Sequence, residues 1–166
     1  MKCISIIGRK RTGKTTLTAS IIQKLSRPSN YIFDINNEYT RKFNLRNDYT
    51  GEISADKFLD KVFQVKNSCI VFEEATSYLS VKGREEKLVN LITRSRHTNN
   101  VILLIFHSIA DLPPYIYRHS EFCCIFKTND FRNTLDTKFR KDSKFIHYYD
   151  RVRLNPNDHY FEIFET

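Results

Sequence analysis

No apolar run in this 166-residue chain approaches the roughly 20 residues that a membrane-crossing helix needs. Met1-Lys2 leads at once into a strand-like run, which is not the layout of a signal peptide. The four cysteines, Cys3, Cys69, Cys123 and Cys124, sit inside apolar, strand-like runs with neither C-x-x-C nor paired zinc spacing. They read as small buried hydrophobes in a reducing cytoplasm rather than as a disulfide frame or a metal site. There is no internal repeat, no low-complexity tail and no room for a separate large substrate domain. The expectation is one domain over residues 1–166, with a core at 1–126 and a basic, aromatic extension at 127–166. Hydrophobic content of 40% and charged content of 28% are those of an ordinary globular protein. The net charge of +8 points to a polyanionic partner, nucleic acid foremost, against a basic surface that serves only solubility.

Residues 8 to 15 read Gly8-Arg9-Lys10-Arg11-Thr12-Gly13-Lys14-Thr15, a complete G-x-x-x-x-G-K-[ST] phosphate-binding loop. It follows the apolar run Cys3 to Ile7 and opens a helix-compatible run from Thr16 to Leu25, the strand–loop–helix context the motif requires. Gly8 and Gly13 let the backbone turn tightly and aim N–H groups at phosphate oxygens. The helix N-terminus adds partial positive charge. Lys14 can reach the β- and γ-phosphates, and the Thr15 hydroxyl can hold Mg²⁺. With Thr16 these residues form the expected ATP site. Arg9, Lys10 and Arg11, inside the loop, are open to contact with nucleotide or with an adjacent subunit.

Downstream, strand and helix signals alternate. Tyr31-Ile32-Phe33 reads as a second strand ending at Asp34, and residues 36–54 as polar and irregular. Helical spacing covers Ala55 to Lys66, with Ser54 as an N-cap, and again residues 84–94. Cys69-Ile70-Val71-Phe72, Val101 to Phe106 and Phe122 to Phe126 are continuous apolar runs suited to strands buried on both faces. Asp111 to Arg118 is a loop or a short helix starting near Pro113-Pro114. Phe145 to Tyr149 and Tyr160 to Phe164 read as two strands of a C-terminal hairpin turning at Asn155-Pro156-Asn157-Asp158. The alternation predicts an α/β fold, a mainly parallel sheet between helical layers, with its ligand at the carboxyl ends of the strands.

Glu73-Glu74 closes the third strand and looks like a Walker B pair. Glu73 would hold the Mg²⁺ shell, and Glu74 would orient and deprotonate the attacking water. The bland reading is a solvated acid pair at a strand end. His107 closes the next strand, where a polar group can sense the γ-phosphate or position water, or merely cap the strand. Arg94 and Arg96 lie in Thr93-Arg94-Ser95-Arg96-His97-Thr98, at the end of a helix. One of them, Arg96 in preference, could serve as a finger on a neighbouring subunit's nucleotide. Both would also sit well at a helix C-terminus for electrostatic reasons alone.

On these segments the chain resembles the FtsK–HerA group of DNA-pumping ATPases, most of all the small genome-packaging ATPases of viruses. The resemblance covers residues 2 to about 126. Asp34-Ile35-Asn36-Asn37-Glu38-Tyr39 is similar to the group's Asp-Pro-x-Gly-Glu-Tyr segment, with Ile35 and Asn37 in place of the usual Pro and Gly. Glu73-Glu74 fits its Walker B, and Arg96 to Val101 its arginine-bearing segment. His107 stands where the group usually has Gln. The resemblance implies a RecA/ASCE-type three-layer core and a hexameric or pentameric ring threading double-stranded DNA into a capsid, with ATP and Mg²⁺ as cofactors. It also implies a capsid or portal protein as a further partner, no membrane, and a place in the host cytoplasm or on the virion. Channel-lining cations would come from Lys82, Arg84, Lys87, Arg132, Lys138, Arg140, Lys141 and Lys144. Three other readings stay open: a P-loop small-molecule kinase, a Zot-like phage assembly ATPase, and a nucleotide-binding adaptor without turnover.

Overall fold

The computed structural model describes residues 3–51, 54–79, 83–139 and 142–166. In chain order the elements are β1 (Cys3–Ile7), α1 (Lys14–Leu25), β2 (Ser29–Phe33), α2 (Glu38–Phe43), α3 (Ala55–Val62), β3 (Ser68–Phe72), α4 (Ala75–Leu79) and α5 (Arg84–Thr98). They continue with β4 (Val101–Phe106), α6 (Pro114–His119), β5 (Phe122–Phe126), α7 (Arg132–Lys138), α8 (Ser143–Leu154) and β6 (Phe161–Glu165). The strands form one six-stranded sheet in the order β2-β3-β4-β1-β5-β6. The first five are mutually parallel, and β6 runs antiparallel to β5.

The pleat explains why β1, β3 and β4 read as continuous apolar runs. Alternate residues point to opposite faces, and each face carries its own core. Cys3, Ile7, Ile70, Phe72, Ile102, Leu104, Phe106, Cys123 and Ile125 pack with buried residues of α3 to α8. Ile4, Ile6, Cys69, Val71, Val101, Leu103, Ile105 and Cys124 face the other way, toward Ala19 and Ile22 of α1 and Tyr39 of α2. The one polar residue of β1, Ser5, is fully buried and bonds the Ser120 hydroxyl at 2.7 Å. All four cysteines are buried free thiols, and burial pushes the Cys3 and Cys69 thiols up to about 12. No helix among the described residues is long and apolar enough to cross a membrane.

Two parts of the chain differ from their sequence reading. Glu38–Phe43, inside the stretch read as irregular, forms α2, capped by Asp34, whose carboxylate accepts the N–H groups of Asn36 and Tyr39. The C-terminal hairpin does not form: Phe145 to Tyr149 lies in α8, and only its second strand, β6, exists, paired to β5. The apolar and aromatic run Phe145-Ile146-His147-Tyr148-Tyr149 imitates a strand. The residues α8 buries, however, are Phe145, Tyr149 and Val152, at helical spacing. Asp142 caps the helix by accepting the N–H groups of Lys144 and Phe145. Ser54 takes the N-cap position of α3 but makes no side-chain cap bond.

Phe145 is fully buried, stacks on Phe139 at 4.6 Å and meets Tyr117 and Phe164 edge-on. Phe145→Ala should therefore cost about 3–5 kcal/mol in denaturant unfolding, as for other buried aromatic truncations. A cost below about 1 kcal/mol would place α8 outside the core.

Candidate functional site

β1 lies between β4 and β5, so the loop that follows it emerges at the centre of the sheet's carboxyl edge. Two backbone bonds fix it there: Gly8 N–H donates to Phe106 O at 3.1 Å, and Arg9 N–H donates to Lys127 O at 2.8 Å. A Cβ on Gly8 would lie 2.6 Å from Phe126 Cβ, so only glycine allows β5 to approach this closely. Gly13 has φ +103° and starts α1, a conformation that glycine adopts without strain. Within the loop, the Thr12 hydroxyl and the Lys14 ammonium both donate to the Arg9 carbonyl, at 2.9 and 3.0 Å. Lys14 is buried, and burial lowers its pKa.

A cavity of about 960 Å³ opens over this loop. Lys10, Arg11, Thr12, Gly13, Lys14, Thr15 and Thr16 line it from below, and Glu73, Glu74 and His107 from the ends of β3 and β4. Gly8 and Arg9 support the loop from outside the lining. The expected carboxylates and phosphate loop therefore meet at one site. The Thr15 hydroxyl donates to Glu73 Oε1 at 3.4 Å, and the Tyr39 hydroxyl donates to Glu73 Oε2. Burial raises the pKa of Glu73, and the Tyr39 hydrogen bond opposes that shift. A divalent cation needs only one or two protein oxygens when phosphates and waters supply the rest, and Thr15 and Glu73 are suited to that role. Among the described residues no group of three or more His, Cys, Asp and Glu could hold a metal by itself.

Glu74 has φ +50°, an unusual conformation for a non-glycine residue. Its Oε1 lies 3.6 Å from His107 Nε2. That is too long for a hydrogen bond, and neither buried ring nitrogen of His107 has a hydrogen-bond partner. His107 lines the cavity with neither ring nitrogen hydrogen-bonded.

This arrangement belongs to a known family. Its AAA domain model matches residues 1–106, from β1 to the end of β4. The chain is an AAA domain protein. Its fold is similar to that of the genome packaging NTPase B204 from Sulfolobus turreted icosahedral virus 2 in complex with AMPPCP. The TM-score is 0.75 and identity 18%, over 99% of this chain and 92% of that one. The same protein with ATP-gammaS gives 0.73 at 18% identity, over 99% and 91%. B204, the DNA-packaging ATPase from Sulfolobus Turreted Icosahedral Virus, gives 0.72 at 18%, over 99% and 92%. At these identities the likeness is one of fold. No curated protein sequence matches significantly.

Arg94 and Arg96, near the end of α5, are not at this site. Arg94 lies over the Phe63 ring at 5.3 Å. Arg96 is exposed and lines a separate cleft with Cys3, Ser120, Glu121 and Thr166, at the opposite end of the sheet. One strand of five residues separates the two ends by about 16 Å, so Arg96 does not serve its own subunit's cavity. Several proposed channel cations are engaged within the AAA domain chain. Arg84 pairs with Asp56 at 2.7 Å, Arg132 with Asp150, and Lys138 with the Ala110 carbonyl. Lys87 and Lys144 are exposed. Lys82, Arg140 and Lys141 lie outside the described residues.

Sequence reasoning missed four side chains. Tyr39 was visible in the Asp34–Tyr39 segment, but nothing in the segment indicates that its hydroxyl reaches Glu73. Asp158 bonds Arg9 at 2.9 Å and Lys127 at 3.0 Å, the His159 ring lies 3.2 Å from the Thr12 carbonyl, and Phe161 lines the cavity. Asp158 ends, and His159 and Phe161 follow, a turn cluster whose composition announces a bend and nothing about where it lands.

The raised pKa of Glu73 makes a stability prediction. At neutral pH the folded state holds a half-buried carboxylate that the unfolded state solvates freely. Glu73→Gln should raise the thermal midpoint at neutral pH. The gain should shrink as pH falls through the raised pKa of Glu73 and vanish below its ordinary value of 4.5, where the carboxyl is neutral in both states. Equal midpoints at neutral pH would show that Tyr39 and Thr15 fully offset the burial.

Proposed function

We propose that this protein is an ATP-hydrolysing motor of the FtsK–HerA type that packages a viral double-stranded DNA genome. It would act as a ring of five or six copies in the host cytoplasm or on the virion. The observation that carries this reading is the meeting of Lys14, Thr15, Glu73 and Glu74 in one cavity at the sheet's carboxyl edge. In its support, Arg96 stands exposed at the opposite edge. The fold likeness to viral packaging NTPases points the same way.

In this mechanism the backbone N–H groups of residues 8–15 and the Lys14 ammonium bind the phosphates of ATP. Lys14 must exchange its bond to the Arg9 carbonyl for phosphate oxygens. Thr15 and Glu73 would hold Mg²⁺, which when bound would supply positive charge against that developing on the phosphates. Tyr39, donating to Glu73 from a buried position, keeps that carboxylate ionised and aimed at Thr15. Glu74 orients water against the γ-phosphate and takes its proton. His107, 3.6 Å away with unsatisfied ring nitrogens, contacts the γ-phosphate or that water. Arg96 enters from the next subunit, so a lone chain lacks part of its active site. The exposed Lys87 and Lys144 contact DNA phosphates, with Arg84, Arg132 and Lys138 secondary because each already has an internal partner. A capsid or portal protein would anchor the ring.

Steady-state hydrolysis with and without long double-stranded DNA tests the motor. Turnover should rise with DNA, and the stimulation should weaken as salt rises. Turnover indifferent to DNA at every salt concentration would reject translocation. Glu74→Gln should bind ATP normally yet fail to release phosphate, and loss of ATP binding instead would remove its assignment as base. Arg96→Ala should slow the assembled protein by about 10³-fold while leaving ATP affinity nearly intact. Unaltered turnover in that variant would exclude the finger.

A further inference from the structure

The cavity over residues 8–15 has two unlike flanks. On the β2–β3 side stand Asp34, Glu38, Glu73 and Glu74; on the β5–β6 side stand Phe126, His159 and Phe161. If Glu74 attacks through water, the γ-phosphate must face the acidic flank. The phosphate chain then runs across the loop, and the nucleoside must leave toward the aromatic flank. We propose that Phe161 and His159, backed by Phe126, form the base-binding subsite and that it takes a purine ring. The proposal rests on the nucleotide reading above and adds the residues that recognise the base.

The flank is built before any ligand arrives. Phe161 is half-buried and pairs with Phe126 across the β5–β6 ladder, with ring centroids 4.8 Å apart. Phe126 and the His159 ring both reach within 3.6 Å of the position of a Cβ on Gly13. The aromatic flank therefore adjoins the phosphate loop directly. The loop carrying His159 is held by Asp158, which binds Arg9 and Lys127 at 2.9 and 3.0 Å. It is braced internally by the Asn155 and Asn157 side chains, which accept the N–H groups of Asn157 and His159. His159 Nδ1 lies 3.2 Å from the Thr12 carbonyl oxygen. A carbonyl cannot donate, so Nδ1 carries the hydrogen, and in the neutral ring Nε2 is an acceptor. An acceptor beside an aromatic face suits a purine's exocyclic amino group. Aromatic faces stack bases with useful affinity, and the larger purine gains the more.

Binding of ATP and of inorganic tripolyphosphate to the full chain separates base from phosphate recognition. Phe161→Leu should weaken ATP binding by about tenfold, from loss of one stacking contact. It should leave tripolyphosphate binding within about twofold, since the ligand has no base. His159→Ala, on an exposed loop, should do the same more mildly and guards against a folding defect in the Phe161 variant. Binding of 2-aminopurine riboside triphosphate to the unaltered protein should quench its fluorescence through stacking. Parallel losses for both ligands would overturn the proposal, because the residues would then act through the loop alone. Unchanged ATP affinity, or probe binding without quenching, would overturn it as well. If neither ATP nor tripolyphosphate binds the unaltered protein, the nucleotide reading itself fails, and the base subsite with it.

Discussion

Everything at the site depends on the central place of β1 in a parallel sheet. Flanked by β4 and β5, β1 hands the chain to the loop at the one point where Gly8 can donate to the end of β4 and Arg9 to the residue just past β5. Those two bonds hold a loop that contains three consecutive cationic residues and would otherwise spread in solvent. The missing Cβ of Gly8 is what lets Phe126 close against it. Because β4 lies between β1 and β3, the two glutamates stand one strand removed from the loop. That spacing leaves room for phosphate and water between carboxylate and lysine.

A second constraint is electrostatic. Glu73 and Lys14 are both withdrawn from water, and burial disfavours the charged form of each. Each offsets the other in part, and the Tyr39 hydroxyl adds a donor to Glu73 that water would otherwise provide. The arrangement tolerates a destabilised charge where a cation and a phosphate would later satisfy it. The left-handed backbone of Glu74 is a second local cost at the same strand end.

The α/β class and the parallel strands were legible because each core strand is a short, wholly apolar run between polar boundaries. So was the meeting of Lys14, Thr15, Glu73 and Glu74 in one cavity, since a parallel sheet brings the carboxyl ends of its strands to one edge. Less was legible where contacts join distant segments. Tyr39 reaches Glu73 across 34 positions, and His159 reaches Thr12 across 147. No local pattern encodes such a meeting. α8 was misread for another reason: the short run Phe145 to Tyr149 is apolar and aromatic enough to pass for a strand as well as for one face of a helix. The tertiary burial of Phe145, Tyr149 and Val152 decided between them.

The distribution of charge separates the two ends of the molecule. At the carboxyl edge the basic loop residues are partly spent: Arg9 is bound to Asp158, and Lys14 to a carbonyl. At the opposite edge Arg96 and His97 end α5, and Arg118 and His119 end α6, all exposed around one cleft. Both helices place cations where their own carbonyl ends favour them, so stability accounts for charge there without any partner. It does not account for Arg96 standing clear of the ring contact that occupies Arg94 two residues earlier. The acidic rim at the other edge, Asp34, Glu38 and Glu74, offers the complementary sign. One chain thus carries exposed cations at the ends of two helices on one edge and Asp34, Glu38 and Glu74 on the other.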